Sequence, residues 1–248
     1  MDPRRVAPAA LAEWGGGTLT TFAGDLSQAD RSFIVYAAHE LRGEITVQLA
    51  LAESTLADPD ADTAALREMG EGVVASCERQ ERLLESLLTL SRSQCGRLRR
   101  EPVDIAAITS QVLRAHELSE LDSAVALEPA VATGDPTLLE RLAANVVSNA
   151  IRHNIPHGRI EVATRTDAGR ALLSVANTGP LIPAGELTRL FQPFERLGLQ
   201  PQACTDGIGL GLTIVQSIAD AHNATVAAHA RAGGGLEIEV RFPEPAYA

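Results

Sequence analysis

The run Asp206-Gly207-Ile208-Gly209-Leu210-Gly211-Leu212-Thr213-Ile214-Val215 carries three glycines at alternate positions and then turns apolar. Glycine lets a backbone turn tightly and approach a ligand closely, and a helix opening behind such a turn offers N–H groups that attract phosphate. The segment predicts a glycine-rich turn leading into a helix over residues 210–222. Two common nucleotide folds lose ground here. No lysine follows the glycines as a P-loop requires, and the helix does not follow the opening strand of a dinucleotide-binding βαβ unit.

Working outward, residues 225–230 and 236–242 read as strands around Gly233-Gly234-Gly235. Upstream, residues 160–166 and 171–176 read as paired strands around Asp167-Ala168-Gly169-Arg170, and 124–127 as a short strand. Residues 105–118 have helical spacing, and Asp135 caps a further helix over 136–153. Helices mixed with mostly antiparallel strands predict an α+β class, with a two-layer sandwich over residues 103–248.

Further upstream the pattern is purely helical. Phe33, Ala37, Leu41, Ile45, Gln48 or Leu49, Ala52 and Leu56 recur at steps of three and four. Asp58-Pro59-Asp60 breaks this helix and Asp62 caps the next. Leu66, Met69, Val73, Cys77, Gln80, Leu84, Leu87 and Leu90 then approximate a heptad seam. Residues 26–96 thus read as a helical hairpin. One hairpin cannot bury two such seams, so a homodimeric four-helix bundle is expected. Residues 97–102 read as a linker, and 1–25, with Gly15-Gly16-Gly17, as a flexible leader.

Composition sets outer bounds. The chain has 248 residues, with 21 Lys and Arg against 32 Asp and Glu, for a formal charge of −11. Nucleic acids and anionic membranes favour basic surfaces, so neither is expected as a partner. No stretch approaches the roughly 20 apolar residues that span a bilayer. The three cysteines lack metal-ligand spacing and fit a cytoplasmic location. His116, His157, His222 and His229 have no metal spacing either and read as surface or packing residues.

Five short motifs carry chemistry. His39 projects about 160° from the centre of the apolar stripe, onto the wet face of its helix. An imidazole there is a competent nucleophile near neutral pH, and the neighbouring Glu40 can orient it and take its proton. Asn145 and Asn149 share one face of a helix, with Arg152 and His153 about a turn beyond. Mid-helix amides are costly without partners, and they are good oxygen donors to a hydrated Mg²⁺. Asn177-Thr178-Gly179 ends a strand in a polar turn over which a flat base can lie. Phe191-Gln192-Pro193-Phe194 holds two of the five phenylalanines. The glycine run at 206–211 completes the set.

The run Phe33-Ile34-Val35-Tyr36-Ala37-Ala38-His39-Glu40-Leu41-Arg42 resembles the phosphoacceptor box of bacterial sensor histidine kinases (HisKA type). Asn145 to Asn154 resembles their N box. Asn177-Thr178-Gly179 is similar to the first glycine box, Leu190 to Leu197 to the F box, and 206–215 to the second glycine box. Single boxes are weak signals, but their order along one chain is specific, and the resemblance covers residues 30–243. It implies a dimerising phosphotransfer hairpin followed by a GHKL-type ATP-binding domain. It further implies autophosphorylation of His39 with Glu40 assisting, ATP bound by Asn145, Asn149, Arg152, His153, Asn177, Gly179, Phe191, Gly207, Gly209, Leu210 and Gly211, and Mg²⁺ held by Asn149. Residues 195–206 would form a lid over ATP. The resemblance implies the receiver domain of a response regulator as partner, beside the second copy expected from the two seams; if the signal lies outside the cell, a separate sensor protein is a further expected partner.

Departures from the family pattern keep an alternative open. After Arg42 the family usually continues Thr-Pro; here Gly43-Glu44 stand instead. The family gives that Thr a part in dephosphorylating the partner, and Gly43 has no hydroxyl. Asn177 replaces the usual Asp, and Leu181 stands where a second glycine is expected. The alternative is a degenerate scaffold, binding nucleotide or not, that regulates another kinase by heterodimerising.

Overall fold

The computed structural model describes residues 28–95, 98–116, 118, 120–195 and 209–245. The expected leader at 1–25, the lid from 196 to 206, and Gly207 lie outside the described residues. The chain divides into two compact units, one ending at Glu81 and the other beginning at Arg82.

The first unit is a helical hairpin. Helix α1 (Gln28–Ala57) runs unbroken through Gly43, and α2 (Thr63–Cys95) follows. Short carboxylate bonds make the corner. Asp58 Oδ1 accepts from the Asp60 N–H at 3.0 Å, and Asp62 Oδ1 accepts from the Ala65 N–H at 2.8 Å. The second is the expected N-cap, which satisfies a donor left over at the helix start.

The apolar stripe expected on α1 splits in two. Ala37 is buried, and Leu41, Gln48 and Ala52 are partly buried. Ile45, Leu49 and Leu56 stay exposed at 44, 49 and 70%. Leu66 and Val74 are likewise exposed on α2. A single hairpin offers each helix one neighbour, so only part of a wide stripe can be covered.

One polar cluster crosses the hairpin. The Glu44 carboxylate of α1 accepts from the Ser76 hydroxyl at 2.6 Å and from Arg79 Nε at 3.3 Å, both on α2. Ser76 is buried, and Glu44 and Arg79 are each about one-third exposed.

The second unit opens with the last turns of α2, whose Ser93 hydroxyl lies 2.8 Å from that of Ser217. Its centre is a five-stranded sheet in the order β2-β4-β5-β7-β6. These strands are β2 (Asp122–Leu127), β4 (Arg159–Asp167), β5 (Arg170–Asn177), β6 (Thr225–Ala230) and β7 (Leu236–Arg241). Only the β2–β4 pairing is parallel. Strands β4 and β5 meet in a two-residue turn at Ala168 and Gly169, whose φ angles of 48° and 78° are the left-handed pair that a tight hairpin needs.

Alternation places Ile160, Val162, Leu173, Val175, Ile238 and Val240 on one buried face of the sheet. Helices α3 (Ile105–Arg114), α4 (Pro136–Arg152) and α5 (Gly211–Ala221) cover it. Helix α4 supplies Leu138, Leu139, Leu142, Val146 and Val147, and α5 supplies Leu212, Ile214, Val215 and Ile218. The opposite face carries ion pairs such as Arg231–Glu161 at 3.0 Å. The two-layer α+β architecture expected from the sequence is therefore present.

Some details differ. The helix expected over 105–118 ends at Arg114. There the His116 ring folds back, with Nδ1 2.9 Å from the Val112 carbonyl oxygen and Nε2 3.1 Å from the Ser148 hydroxyl. A two-stranded ribbon of β1 (Glu101–Asp104) and β3 (Val131–Gly134) has no counterpart in the expectation. Its strands are too short for alternation to show. A 3-10 segment, Ala184–Phe191, also joins the glycine turn to the F-box residues.

Candidate functional site

Helix α4 begins at Asp135, whose carboxylate accepts from the N–H groups of Thr137 and Leu138, and its apolar face seats it on the sheet. That fixes the face carrying Asn145 and Asn149, both half-buried. Asn145 spends its Nδ2 on the Arg141 carbonyl at 2.7 Å. Its Oδ1 then faces the start of α5, 3.5 Å from where a Cβ on Gly211 would stand. The Asn149 amide makes no side-chain hydrogen bond with a described residue. Arg152 and His153 close the helix with exposed side chains, and Arg152 forms no ion pair among the described residues.

Strand β5 delivers Asn177, only 2% exposed. Its Nδ2 donates to the Thr178 carbonyl at 2.6 Å and the His153 carbonyl at 3.3 Å. Both amide hydrogens are engaged, so Oδ1 is the acceptor left for a ligand donor. Gly179 sits directly on the end of α4, where an added Cβ would be 2.8 Å from the His153 carbonyl. Leu181 is 71% exposed and contributes nothing to this packing.

A polar knot joins the same two segments. Thr178 Oγ1 donates to Asn154 Oδ1 and accepts from the Arg159 N–H at 2.8 Å, while Asn154 Nδ2 donates to the Arg159 carbonyl at 3.1 Å. A side chain at Gly158 would collide with both Asn154 and Thr178. Behind the turn lie Gly234 and Gly235, at φ 90° and 99°. Gly235 N–H donates to the Pro180 carbonyl at 3.0 Å, and a Cβ on either glycine would strike the backbone of Asn177 or Gly179. From the sequence, Asn154, Gly158, Thr178 and these glycines received no site role. Three of the positions being glycine was the available signal.

The F-box residues and the second glycine box are also tied together. Phe194 N–H donates to the Gly209 carbonyl at 3.0 Å, with φ values of 64° at Phe194 and 74° at Gly209. A Cβ on Gly209 would press on Phe194 Cα at 3.0 Å. Thr213 Oγ1 donates to the Phe191 carbonyl at 3.1 Å. Arg189 binds Glu195 and Glu186, each at 2.7 Å, and hydrogen bonds to these two carboxylates raise its already high pKa. Leu210 is buried, and among the described residues no side chain caps α5, so the N–H groups of its first turn are candidates for an outside acceptor.

The structure thus links four segments of the second unit into one cradle: Asn177 and Gly179 meet His153, Asn145 faces Gly211, Phe194 meets Gly209 beside Leu210, and Phe191 meets Thr213, while Asn149 and Arg152 lie on the same helix as Asn145. The cradle's chemistry fits a nucleotide: a polar turn with one free acceptor, and a helix start that faces the Asn145 amide oxygen. His39 belongs to the first unit, where its ring is exposed on α1. The backbone of Glu40 is helical, and its side chain lies outside the described residues. No described helix is long and apolar enough to cross a membrane.

Comparison with known proteins is consistent with this arrangement. Residues 134–246 match the family model of the histidine kinase-, DNA gyrase B- and HSP90-like ATPases. The sensor protein CutS of Streptomyces coelicolor is 40% identical over 220 residues, which are 87% of this chain and 53% of CutS. The chain spans about half the length of the curated relatives it matches. The solved mycobacterial sensor histidine kinase MprB aligns with 59% of this chain and 98% of its own, at 29% identity and a TM-score of 0.52. The histidine kinase ThkA, solved in complex with the response regulator TrrA, shares the fold over 91% of this chain and 63% of its own, with a TM-score of 0.63 and 19% identity. The cradle, the match over 134–246 and the likeness to CutS agree: the chain belongs to the sensor histidine kinases and carries their ATPase domain.

Proposed function

We propose that this chain transfers the γ-phosphoryl group of ATP to His39 and then to an aspartate on the receiver domain of a response regulator. The observation that supports it most is the closed circuit of contacts in the cradle. Asn177 ties to His153, Asn145 faces Gly211, Phe194 binds Gly209, and Phe191 binds Thr213. Segments far apart in sequence are held together around one site.

In this reading Asn177 Oδ1 accepts from the adenine amino group, over the floor made by Gly179. The first-turn N–H groups of α5, opened by Gly209, Leu210 and Gly211, hold phosphate oxygens, and Gly207 would extend that loop. Phe191 walls the cradle, and Asn145, Arg152 and His153 lie toward the phosphates. Asn149 would hold Mg²⁺, which supplies charge neutralisation on the phosphates. An imidazole nitrogen of His39 forms the new N–P bond as the bond from Pγ to the bridging oxygen breaks. ADP departs with that electron pair, and Glu40 takes the ring proton. The phosphoramidate then yields its phosphoryl to the carboxylate of the regulator.

Residues 26–96 would serve as the dimerising phosphotransfer domain, 97–102 as a linker, and 103–248 as the catalytic domain, in the cytoplasm. The ThkA–TrrA complex supports the receiver domain as partner. The test is incubation of the full chain with γ-labelled ATP and Mg²⁺. Acid-labile, alkali-stable label is expected on the wild type and none on His39→Gln. Nucleotide binding with no label on the wild type would overturn the reading in favour of a scaffold.

A further inference from the structure

We propose that Glu44, Ser76 and Arg79 form a pin that sets the register of α1 against α2 beneath His39, making Glu44 and Arg79 positioning residues for the imidazole. This rests on the phosphotransfer reading above. Glu44 lies five residues after His39, which is about 7.5 Å along the axis and about 140° around it. A carboxylate facing inward at that point leaves the imidazole outward, as observed.

The surrounding interface mixes small residues, Ala52, Thr55, Ala65 and Gly72, with partly buried Leu41, Met69 and Val73, and apolar packing of this kind is less directional than a charged hydrogen bond. The neighbouring polar crossing is long, with Gln48 Nε2 3.5 Å from the Val73 carbonyl and 3.9 Å from Cys77 Sγ. The Ser76 bond to Glu44 is short, the Arg79 contacts at 3.3 Å add a cation, and together they reach two residues almost a turn apart on α2. A slip of one turn would set Glu44 against Gly72 and Ala75, or against Gln80 and Leu83. Either leaves a partly buried carboxylate without its cation, which is strongly disfavoured.

The environment of Glu44 agrees with a formed pin. Burial alone would raise its pKa, but hydrogen bonds from Ser76 and Arg79 and the Arg79 charge outweigh it and hold the carboxyl below its ordinary value. Gly43, just before it, faces open space where a Cβ would stand, and it weakens the helix locally. A fixed point immediately beyond the glycine therefore determines how the His39 turn is presented.

The test measures autophosphorylation of the full chain with γ-labelled ATP, with helicity recorded at the assay temperature. In Glu44→Gln and Arg79→Met, kcat is expected to fall about tenfold, with the KM for ATP unchanged, because a small misplacement of a reacting group is costly. The exchange Glu44→Arg with Arg79→Glu restores most of the rate. Wild-type kcat in the single variants, loss that the exchange does not restore, or loss that merely follows lost helicity would each overturn the pin. If the wild type itself takes no label, the phosphotransfer reading falls and the pin is read separately. Spin labels at Thr46→Cys and Glu78→Cys, with the native cysteines replaced by serine, then report the helix register. A broadened distance distribution in Glu44→Gln supports the pin, and an unchanged one overturns it.

Discussion

At the scale of single residues, two buried side chains show how chemistry is fixed by hydrogen-bond direction. His222 is 1% exposed, its Nδ1 donates to the Ile218 carbonyl at 2.7 Å, and its Nε2 accepts from the Asp135 N–H at 3.0 Å. The ring also forbids any side chain at Gly134. Burial lowers the His222 pKa below the ordinary 6.5, and the nearby Arg100 charge adds to that, against the Ile218 carbonyl and Asp135. The unfolded chain therefore binds more protons between the lowered value and 6.5. The stability His222 contributes is complete above 6.5 and is lost as pH falls toward the lowered value. Urea midpoints taken from pH 7.5 down to 5 should decline in the wild type and decline less steeply in His222→Gln. Equal slopes would show that His222 does not carry the effect. Asn177 makes a complementary case. Asn177→Asp restores the residue usual in the family, yet it would aim a carboxylate at the His153 and Thr178 carbonyls. A loss of about 1–3 kcal/mol in urea unfolding is expected, from unpaired and repelling groups; an unchanged midpoint would refute this.

At the scale of elements, the hairpin explains what periodicity can and cannot reveal. Steps of three and four identified both helices, and Asp62 marked the start of the second. Periodicity could not say which apolar residues meet inside one hairpin and which remain outside. That depends on the second helix, and here Glu44, Gln48 and Thr55 take inward positions while Ile45, Leu49 and Leu56 face out. Ile45, Leu49 and Leu56 on one helix, with Leu66 and Val74 on the next, suit a second copy. Leu49→Glu should convert a dimer to monomers in sedimentation at micromolar concentration while helicity persists. A dimer of unchanged affinity would count against that face. The short elements were harder to read. Ribbon strands β1 and β3 have four residues each, too few for alternation to register. Helix α3 stops early because His116 turns back onto Val112 and Ser148, a tertiary contact invisible in local spacing.

At the scale of the whole chain, the cradle was legible as a set of separate motifs but not as a connected object. Asn145, Asn149, Asn177, Gly179 and Gly209 stood out because their residue types are costly or unusual where they occur. Asn154, Gly158, Thr178 and the glycines at 234 and 235 act by locking those motifs together, and nothing local distinguishes them from ordinary turn residues. The same architecture has a consequence for how the molecule can vary. Because Phe194 and Gly209 are bonded to each other, the two ends of the intervening segment are held at one place on the domain. Closing a loop on fixed ends costs only about 0.6 kcal/mol for each doubling of its length. Insertions or deletions between those two ends should therefore cost the core beneath little.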